Sequence, residues 1–221
     1  MKVAVIQFPG SNCDLDTLHV LRDVVKIEAD LIWHKNFKDS NYDAAILPGG
    51  FSYGDHLRAG IIAAYSPAMT PIKEMAKENK PILGICNGFQ ILVESSLLPG
   101  ALLRNSGLKF VCKWTRLRVE TEHSAFTRLY QKGQNIRMPI AHNEGRYFIE
   151  EETLKDLRRN DQIVFRYVSE NPNGAIDDIA GICNEDRNVV GLMPHPERAS
   201  ENILGSEDGR KMFESMLQWL N

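Results

Sequence analysis

No apolar run in this 221-residue sequence approaches the roughly 18 residues that mark a membrane span. Runs of about five or six like charges are missing too. Lys and Arg number 26 against 29 Asp and Glu, a formal charge of −3. That balance gives no bulk attraction for nucleic acid or an anionic membrane, so neither is expected as a partner. Cysteine is scarce. Cys13, Cys86, Cys112 and Cys183 stand singly, without the C-x-x-C spacing of a zinc site or a thioredoxin-like motif. No metal site is expected, and free thiols fit a reducing compartment, here the cytoplasm. The opening Met1-Lys2-Val3-Ala4-Val5-Ile6 is polar again by Gln7, too short for the apolar core of a signal peptide. There is no G-x-x-x-x-G-K-[ST] phosphate loop, no internal repeat and no low-complexity tract.

What remains is ordinary globular composition, 43% hydrophobic and 25% charged. The length predicts one domain over residues 1–221. In the first half, short apolar runs at 3–6, 31–33, 44–47 and 81–85 predict buried strands. Between them, 14–25, 71–79 and 88–94 have helical spacing. Leu15, Leu18, Leu21 and Val25 set the first helix, with Asn12 or Ser11 as its cap. Strand and helix in alternation predict a parallel sheet covered on both faces.

The second half reads differently. Phe110, Cys112 and Trp114 alternate with polar residues, then Leu117 and Val119 alternate in the opposite phase, which predicts a bulge or bend. On this alternation Cys112 is expected in the core, as is Cys183. Residues 136–141 and 163–168 predict strands, and 179–183 with 189–193 predict a hairpin. The chain closes on a helix whose apolar stripe is Met212, Phe213, Met216, Leu217 and Leu220. The expected class is α/β: a single domain with a central, mostly parallel sheet flanked by helices and an antiparallel strand addition in the second half.

Three strand ends carry chemistry. Gly84-Ile85-Cys86-Asn87-Gly88 is G-x-C-x-G between a strand and a helix, the cysteine form of a nucleophile elbow. Small residues at 84 and 88 let strand and helix pack closely, and the helix N-terminus favours a thiolate at Cys86. Pro194-His195-Pro196-Glu197 follows another strand. A thiol nucleophile needs a base and the base an orienter. On an extended segment His195 and Glu197 point the same way. The loop Leu47-Pro48-Gly49-Gly50-Phe51-Ser52 can turn backbone N–H groups toward an oxyanion.

Together these segments resemble a class I glutamine amidotransferase domain. The likeness extends through Phe8-Pro9-Gly10-Ser11-Asn12-Cys13-Asp14, Gly54-Asp55, Pro139-Ile140-Ala141-His142 and Glu144-Gly145-Arg146. In these segments the chain resembles the glutaminase subunits that serve formylglycinamide ribonucleotide amidation in purine biosynthesis. The resemblance implies that Cys86, His195 and Glu197 form the triad that releases ammonia from glutamine. It also implies that the N–H groups of Gly50 and Asn87 hold the oxyanion and that Gln90 helps to position the substrate. It implies as partners a large synthetase subunit, PurL, which uses ATP and magnesium, and a small subunit, PurS; no cofactor is expected in this chain. One departure is Asn143, where the family more often has Gly; Asn tolerates a positive φ.

Cys13 is expected near the site without being the nucleophile. His142 is expected on the site wall or a partner surface, and His56 in a structural or interfacial role. Three rival readings remain: a cysteine-elbow hydrolase or deglycase on the same kind of sheet, the glutaminase of another amidotransferase, and a non-catalytic scaffold.

Overall fold

The computed structural model describes residues 1–38 and 41–220. The first half runs β1 (Lys2–Gln7), α1 (Asp14–His19), β2 (Glu28–Trp33), β3 (Ala44–Leu47), α2 (Ile61–Ala64), α3 (Met69–Lys77), β4 (Ile82–Ile85) and α4 (Asn87–Glu94). The second runs β5 (Ala101–Leu103), β6 (Val111–Val119), β7 (Asn135–His142), β8 (Arg146–Phe148), α5 (Glu151–Arg159), β9 (Ile163–Val168), β10 (Ile179–Cys183), β11 (Val189–Leu192) and α6 (Arg210–Leu220).

Nine strands form one sheet in the order β2-β1-β3-β4-β11-β10-β9-β6-β7. From β2 to β11 the neighbours are parallel. From β11 to β7 they are antiparallel. The expected class holds, with the antiparallel addition continuing the same sheet. A second, two-stranded sheet pairs β5 with β8. β3 and β4 are buried along their whole length, as are the four inner residues of β1. Helices cover both faces of such strands, which is why they read as unbroken apolar runs. α4 lies across β3, β4 and β11, and α1 against β1 and β2.

Several local expectations change. Neither Asn12 nor Ser11 caps α1; the cap position is Cys13, with no side-chain bond to the helix. Ser11 Oγ accepts instead from the Phe8 N–H at 3.1 Å, closing the turn after β1. Past His19 the helix widens to i→i+5 bonding over Val20–Val24. Leu15 is exposed, whereas Thr17, Val20 and Leu21 are buried. No bulge interrupts β6. Its register against β7 is continuous from Val111↔His142 to Arg118↔Asn135. The residues that face the core are Thr115, Leu117 and Val119 throughout. Trp114 sits half-buried on the other face beneath the Arg137 guanidinium, so the apparent change of phase comes from an aromatic ring covered by a cation. Cys112 is consequently exposed, while Cys183 is buried and its thiol pushed up to about 12 by that burial. The register shift occurs at Gly181 in β10. In α6 Met212, Phe213 and Met216 are buried, and Leu220 is exposed near the chain end.

The β4–α4 junction sets how near helix and sheet can lie. A Cβ on Gly88 would stand 1.9 Å from the Leu47 carbonyl oxygen, and one on Gly84 would stand 2.5 Å from Leu92 Cδ1. Gly88→Ala is therefore expected to cost about 1–3 kcal/mol, as overpacking does. Urea unfolding checks this: the midpoint should fall with an unchanged slope.

Candidate active site

The carboxyl ends of β1, β3, β4 and β11 lie side by side in the sheet, where open α/β sheets place their ligands. Each end delivers one expected group. β4 delivers Cys86, held at φ +50° and ψ −102° as the residue before α4. A non-glycine residue there is strained, and surrounding structure must hold it. The Cys86 N–H donates to Leu192 O at 2.8 Å, and its carbonyl accepts from the Gln90 N–H at 3.1 Å. The elbow is thus tied to β11 on one side and to its own helix on the other. Its thiol approaches Ala141 O at 3.8 Å.

β11 delivers His195, whose N–H donates to Pro139 O at 2.9 Å. His195 is extended, but Pro196–Ala199 forms a 3₁₀ turn. The expectation of one extended segment is corrected here: the turn brings the two side chains together. Nδ1 of His195 and Oε1 of Glu197 are 2.6 Å apart, with 2% and 0% of the side chains exposed. Burial by itself would keep the imidazole neutral. The Glu197 carboxylate outweighs it, helped by charge on Cys86 and by contact with Cys13, and raises the His195 pKa well above its ordinary value. An imidazolium beside Cys86 is the state that supports a thiolate nucleophile.

β3 delivers the Pro-Gly-Gly loop. A Cβ on Gly49 would meet His195 Cε1 at 2.8 Å and Cys13 Sγ at 3.2 Å, so the loop lies directly on the base. The Phe51 N–H is committed to Gly10 O at 3.0 Å, and Gly50 adopts φ +147°. Asn87 opens α4, where backbone N–H groups lack helical acceptors. Its side chain accepts from the Ser52 N–H at 3.1 Å and donates to Gln90 Oε1 at 2.9 Å. Gln90 donates in turn to Glu144 O at 2.6 Å. Gln90 thus lines the cavity and braces the loop at 144.

β1 leads to Cys13, the one cysteine beside the base apart from Cys86. Its Sγ accepts from Arg198 Nη2 at 3.1 Å, and burial raises its pKa. Cys13, His195 and Glu197 offer ligand-type atoms within 4.8 Å of one another, the one such grouping among the described residues. An ion held there would occupy the base and its orienter, so it would block the triad rather than serve it. Cys86, and not Cys13, lines the adjoining cavity of about 210 Å³, together with Gly50, Gln90 and His142.

His142 forms part of the wall. Burial, then the charge on His195, lowers its pKa to about 4, so it is neutral near pH 7. Asn105 Oδ1 lies 3.1 Å from its Nδ1. His56 is exposed. Asn143 is not among the residues with positive φ, so the tolerance of Asn for that conformation is not used here. Three charged groups on the cavity, Asp55, Arg104 and Glu144, have no role legible in the sequence. β5 and β8 fix the last two, but those three-residue strands carry too little periodicity to be read in advance.

With this geometry in place, comparison with known proteins decides the family. A model of the CobB/CobQ-like glutamine amidotransferase domain matches residues 1–220. The chain belongs to that glutamine amidotransferase family. Within the family it is 57% identical to the phosphoribosylformylglycinamidine synthase subunit PurQ of Methanosarcina acetivorans, covering all of this chain and 98% of the relative. The same subunit of Methanosarcina mazei is also 57% identical over the same shares. Among solved structures, a chain from the PurLQS complex of Thermotoga maritima superposes with a TM-score of 0.92. It is 47% identical, and the match covers 100% of this chain and 99% of that one.

The triad geometry sets two expected outcomes. Glu197→Gln keeps the shape but removes the charge that supports imidazolium, so kcat for glutamine hydrolysis should fall about 10–10³-fold. A serine triad loses about 10⁴-fold on the equivalent change, and a thiolate forms more readily than an alkoxide. His195→Ala should cost more, because the proton donor itself is gone. Separately, a glutamine-analogue alkylator should label Cys86 by peptide mass mapping, and Cys13→Ala should keep a large part of the activity. Labelling of Cys13 instead would reverse the assignment of the nucleophile.

Proposed function

We propose that this chain is the glutaminase subunit of a phosphoribosylformylglycinamidine synthase. It would release ammonia for amidation of formylglycinamide ribonucleotide in purine biosynthesis. The observation that carries the reading is Cys86 at a strained elbow beside a buried His195–Glu197 pair, in a chain 57% identical to PurQ subunits over its whole length.

The residues support the following course. Cys86 thiolate attacks the side-chain amide carbon of glutamine, and the carbonyl becomes an oxyanion. The N–H groups of Gly50 and Asn87 receive that charge; preorganised donors of this kind typically contribute about 10²–10³-fold. Imidazolium His195 gives its proton to the amide nitrogen, the C–N bond breaks, and ammonia leaves behind a γ-glutamyl thioester. Neutral His195 then takes a proton from water, whose oxygen attacks the thioester carbon. Glutamate departs and Cys86 returns as thiolate beside imidazolium. Glu197 holds Nδ1 throughout and so fixes which nitrogen faces the reaction.

The acceptor reaction belongs to partners. A large synthetase subunit, PurL, would consume the ammonia with ATP and magnesium, and a small subunit, PurS, would complete the assembly. The solved complex from Thermotoga maritima bears the name PurLQS, which supports that assignment. The cytoplasm is the proposed location; among the described residues no helix is long and apolar enough to cross a membrane. A purely scaffolding role is disfavoured because no member of the triad is missing.

Reconstitution with the synthetase subunits is the test. Cys86→Ala should abolish glutamine-dependent synthesis while free ammonium still supports it. Glutamine-dependent synthesis by Cys86→Ala would sink the mechanism. The isolated chain should also hydrolyse glutamine more slowly than the nucleotide-loaded complex, because unpartnered turnover wastes glutamine; equal turnover would remove partner control and leave the triad standing.

A further inference from the structure

The loop after β3, which carries the Pro-Gly-Gly segment, is paired with the loop after β1. Ser11 and Gly50 form an antiparallel bridge. The Asn12 N–H donates to Gly49 O at 3.4 Å, and the Phe51 N–H to Gly10 O at 3.0 Å. The two backbones lie so close that a Cβ on Gly10 would stand 2.3 Å from Phe51 O, and one on Gly50 2.8 Å from Asn12 N. The direction of the Gly50 N–H therefore depends on how residues 51–55 are held. That stretch is strained: Tyr53, Gly54 and Asp55 take φ of +55°, +66° and +53° in succession. Two of the three carry side chains, so contacts elsewhere must impose the conformation.

Tyr53 makes contacts of that kind. Its N–H donates to Pro9 O at 2.7 Å. Its ring packs against the core, edge-on to the His34 ring at 6.0 Å between centroids. Its hydroxyl lies 3.2 Å from His34 Nε2. His34 directly follows β2 and is 1% exposed. The His34 N–H donates to Gln7 O at 2.9 Å, and its ring stacks on Phe8 at 5.5 Å and meets Trp33 at 4.8 Å. Burial, then the charge on Lys35, lowers its pKa and favours the neutral ring. A neutral imidazole has one donor and one acceptor nitrogen. Tyr53 uses Nε2, while Nδ1 is buried with no hydrogen-bond partner among the described residues. An apolar side chain would fill the space between Phe8 and Trp33 without orphaning a nitrogen. What a histidine adds at this position is the bond to Tyr53.

An oxyanion develops only on the way to the tetrahedral intermediate, so its donors must be in place beforehand. We propose that the bond between the Tyr53 hydroxyl and His34 Nε2 latches the loop after β3 to the body of the sheet, and thereby holds the Gly50 N–H in position for the oxyanion. This rests on the glutaminase reading, in which Gly50 is a donor, and adds two positioning residues to it. Neither Tyr53 nor His34 lines the cavity at Cys86, so both act through the backbone between them and Gly50. The latch joins three strand ends. Gln7 and Phe8, at the end of β1, seat His34; His34, at the end of β2, holds Tyr53; Tyr53, with Pro9, holds the loop from β3. Removing the hydroxyl alone keeps the ring packing and frees residues 51–55 to leave their strained conformation.

The test uses the assembled complex with Tyr53→Phe, His34→Leu and the two combined, with assembly checked by size exclusion. In Tyr53→Phe, kcat for ammonia release from glutamine should fall about tenfold while KM stays within about twofold, because the lost interaction serves the transition state alone. That is less than the roughly 10²–10³-fold lost when an oxyanion donor is deleted, since here the donor is loosened and not removed. His34→Leu should show a similar loss, and the combined variant no more than either single one, because all three remove one contact. The second measurement is alkylation of Cys86 by iodoacetamide, followed by peptide mass mapping. The thiolate displaces iodide without forming an oxyanion, so the rate should match the wild type in every variant. An unchanged kcat in Tyr53→Phe overturns the proposal. So does alkylation that slows in step with kcat, since the lesion then lies at the thiolate. Should His34→Leu fail to assemble, Tyr53→Phe alone decides. A wild-type complex that releases no ammonia from glutamine overturns the glutaminase reading instead.

Discussion

The cluster at the carboxyl ends of the parallel strands depends on the backbone of Cys86, which is held at a positive φ between a buried strand and the first turn of a helix. That conformation is unfavourable for any residue with a side chain, so neighbouring contacts must impose it. Gly84 and Gly88 permit the closeness, since a methyl at either would strike helix or strand. The bond from Cys86 N–H to Leu192 O joins the elbow to β11, the strand that leads to His195. Cys86 and His195 are therefore positioned by adjacent rungs of one ladder, and a shift of β4 against β11 would separate them.

Charge is arranged around the same point. His195 and Glu197 are withdrawn from water, which would be costly for either alone. Their contact makes the charged imidazole the favoured form and gives the buried site one defined polarity. His142, close enough to feel the His195 charge, is held neutral. A second imidazolium there would oppose the first. The site thus assigns opposite protonation to two histidines by giving one a carboxylate and burying the other within reach of that first charge.

The two halves of the sheet divide the work. The parallel half carries Cys86, His195 and the Pro-Gly-Gly loop at its strand ends, where loops can diverge from a rigid base. The antiparallel half contributes walls and restraints: Pro139 O on the His195 N–H, Ala141 O near the Cys86 thiol, and His142 at the end of β7. The small β5–β8 sheet then brings Arg104 and Glu144 to the cavity.

Strands β1, β3 and β4 and the elbow were legible in the sequence because both faces of each strand are buried and only glycine fits at 84 and 88. His195 and Glu197 were legible as a pair through their spacing, though a turn and not an extended segment joins them. Trp114 and Cys112 misled, because alternation identifies two faces of a strand without saying which is covered. Asp55 and Glu144 appeared only inside segments that carry the family likeness, and Arg104 not at all, so none had a role legible in the sequence. Each is a charged residue in a loop, and such residues are ordinarily solvated. Local sequence determined the strands, the strained nucleophile and the orienting pair, since those depend on neighbours a few residues away. Tertiary structure alone decided which loops share a cavity, because that depends on strand order, and strand order is set by packing between segments far apart in the chain.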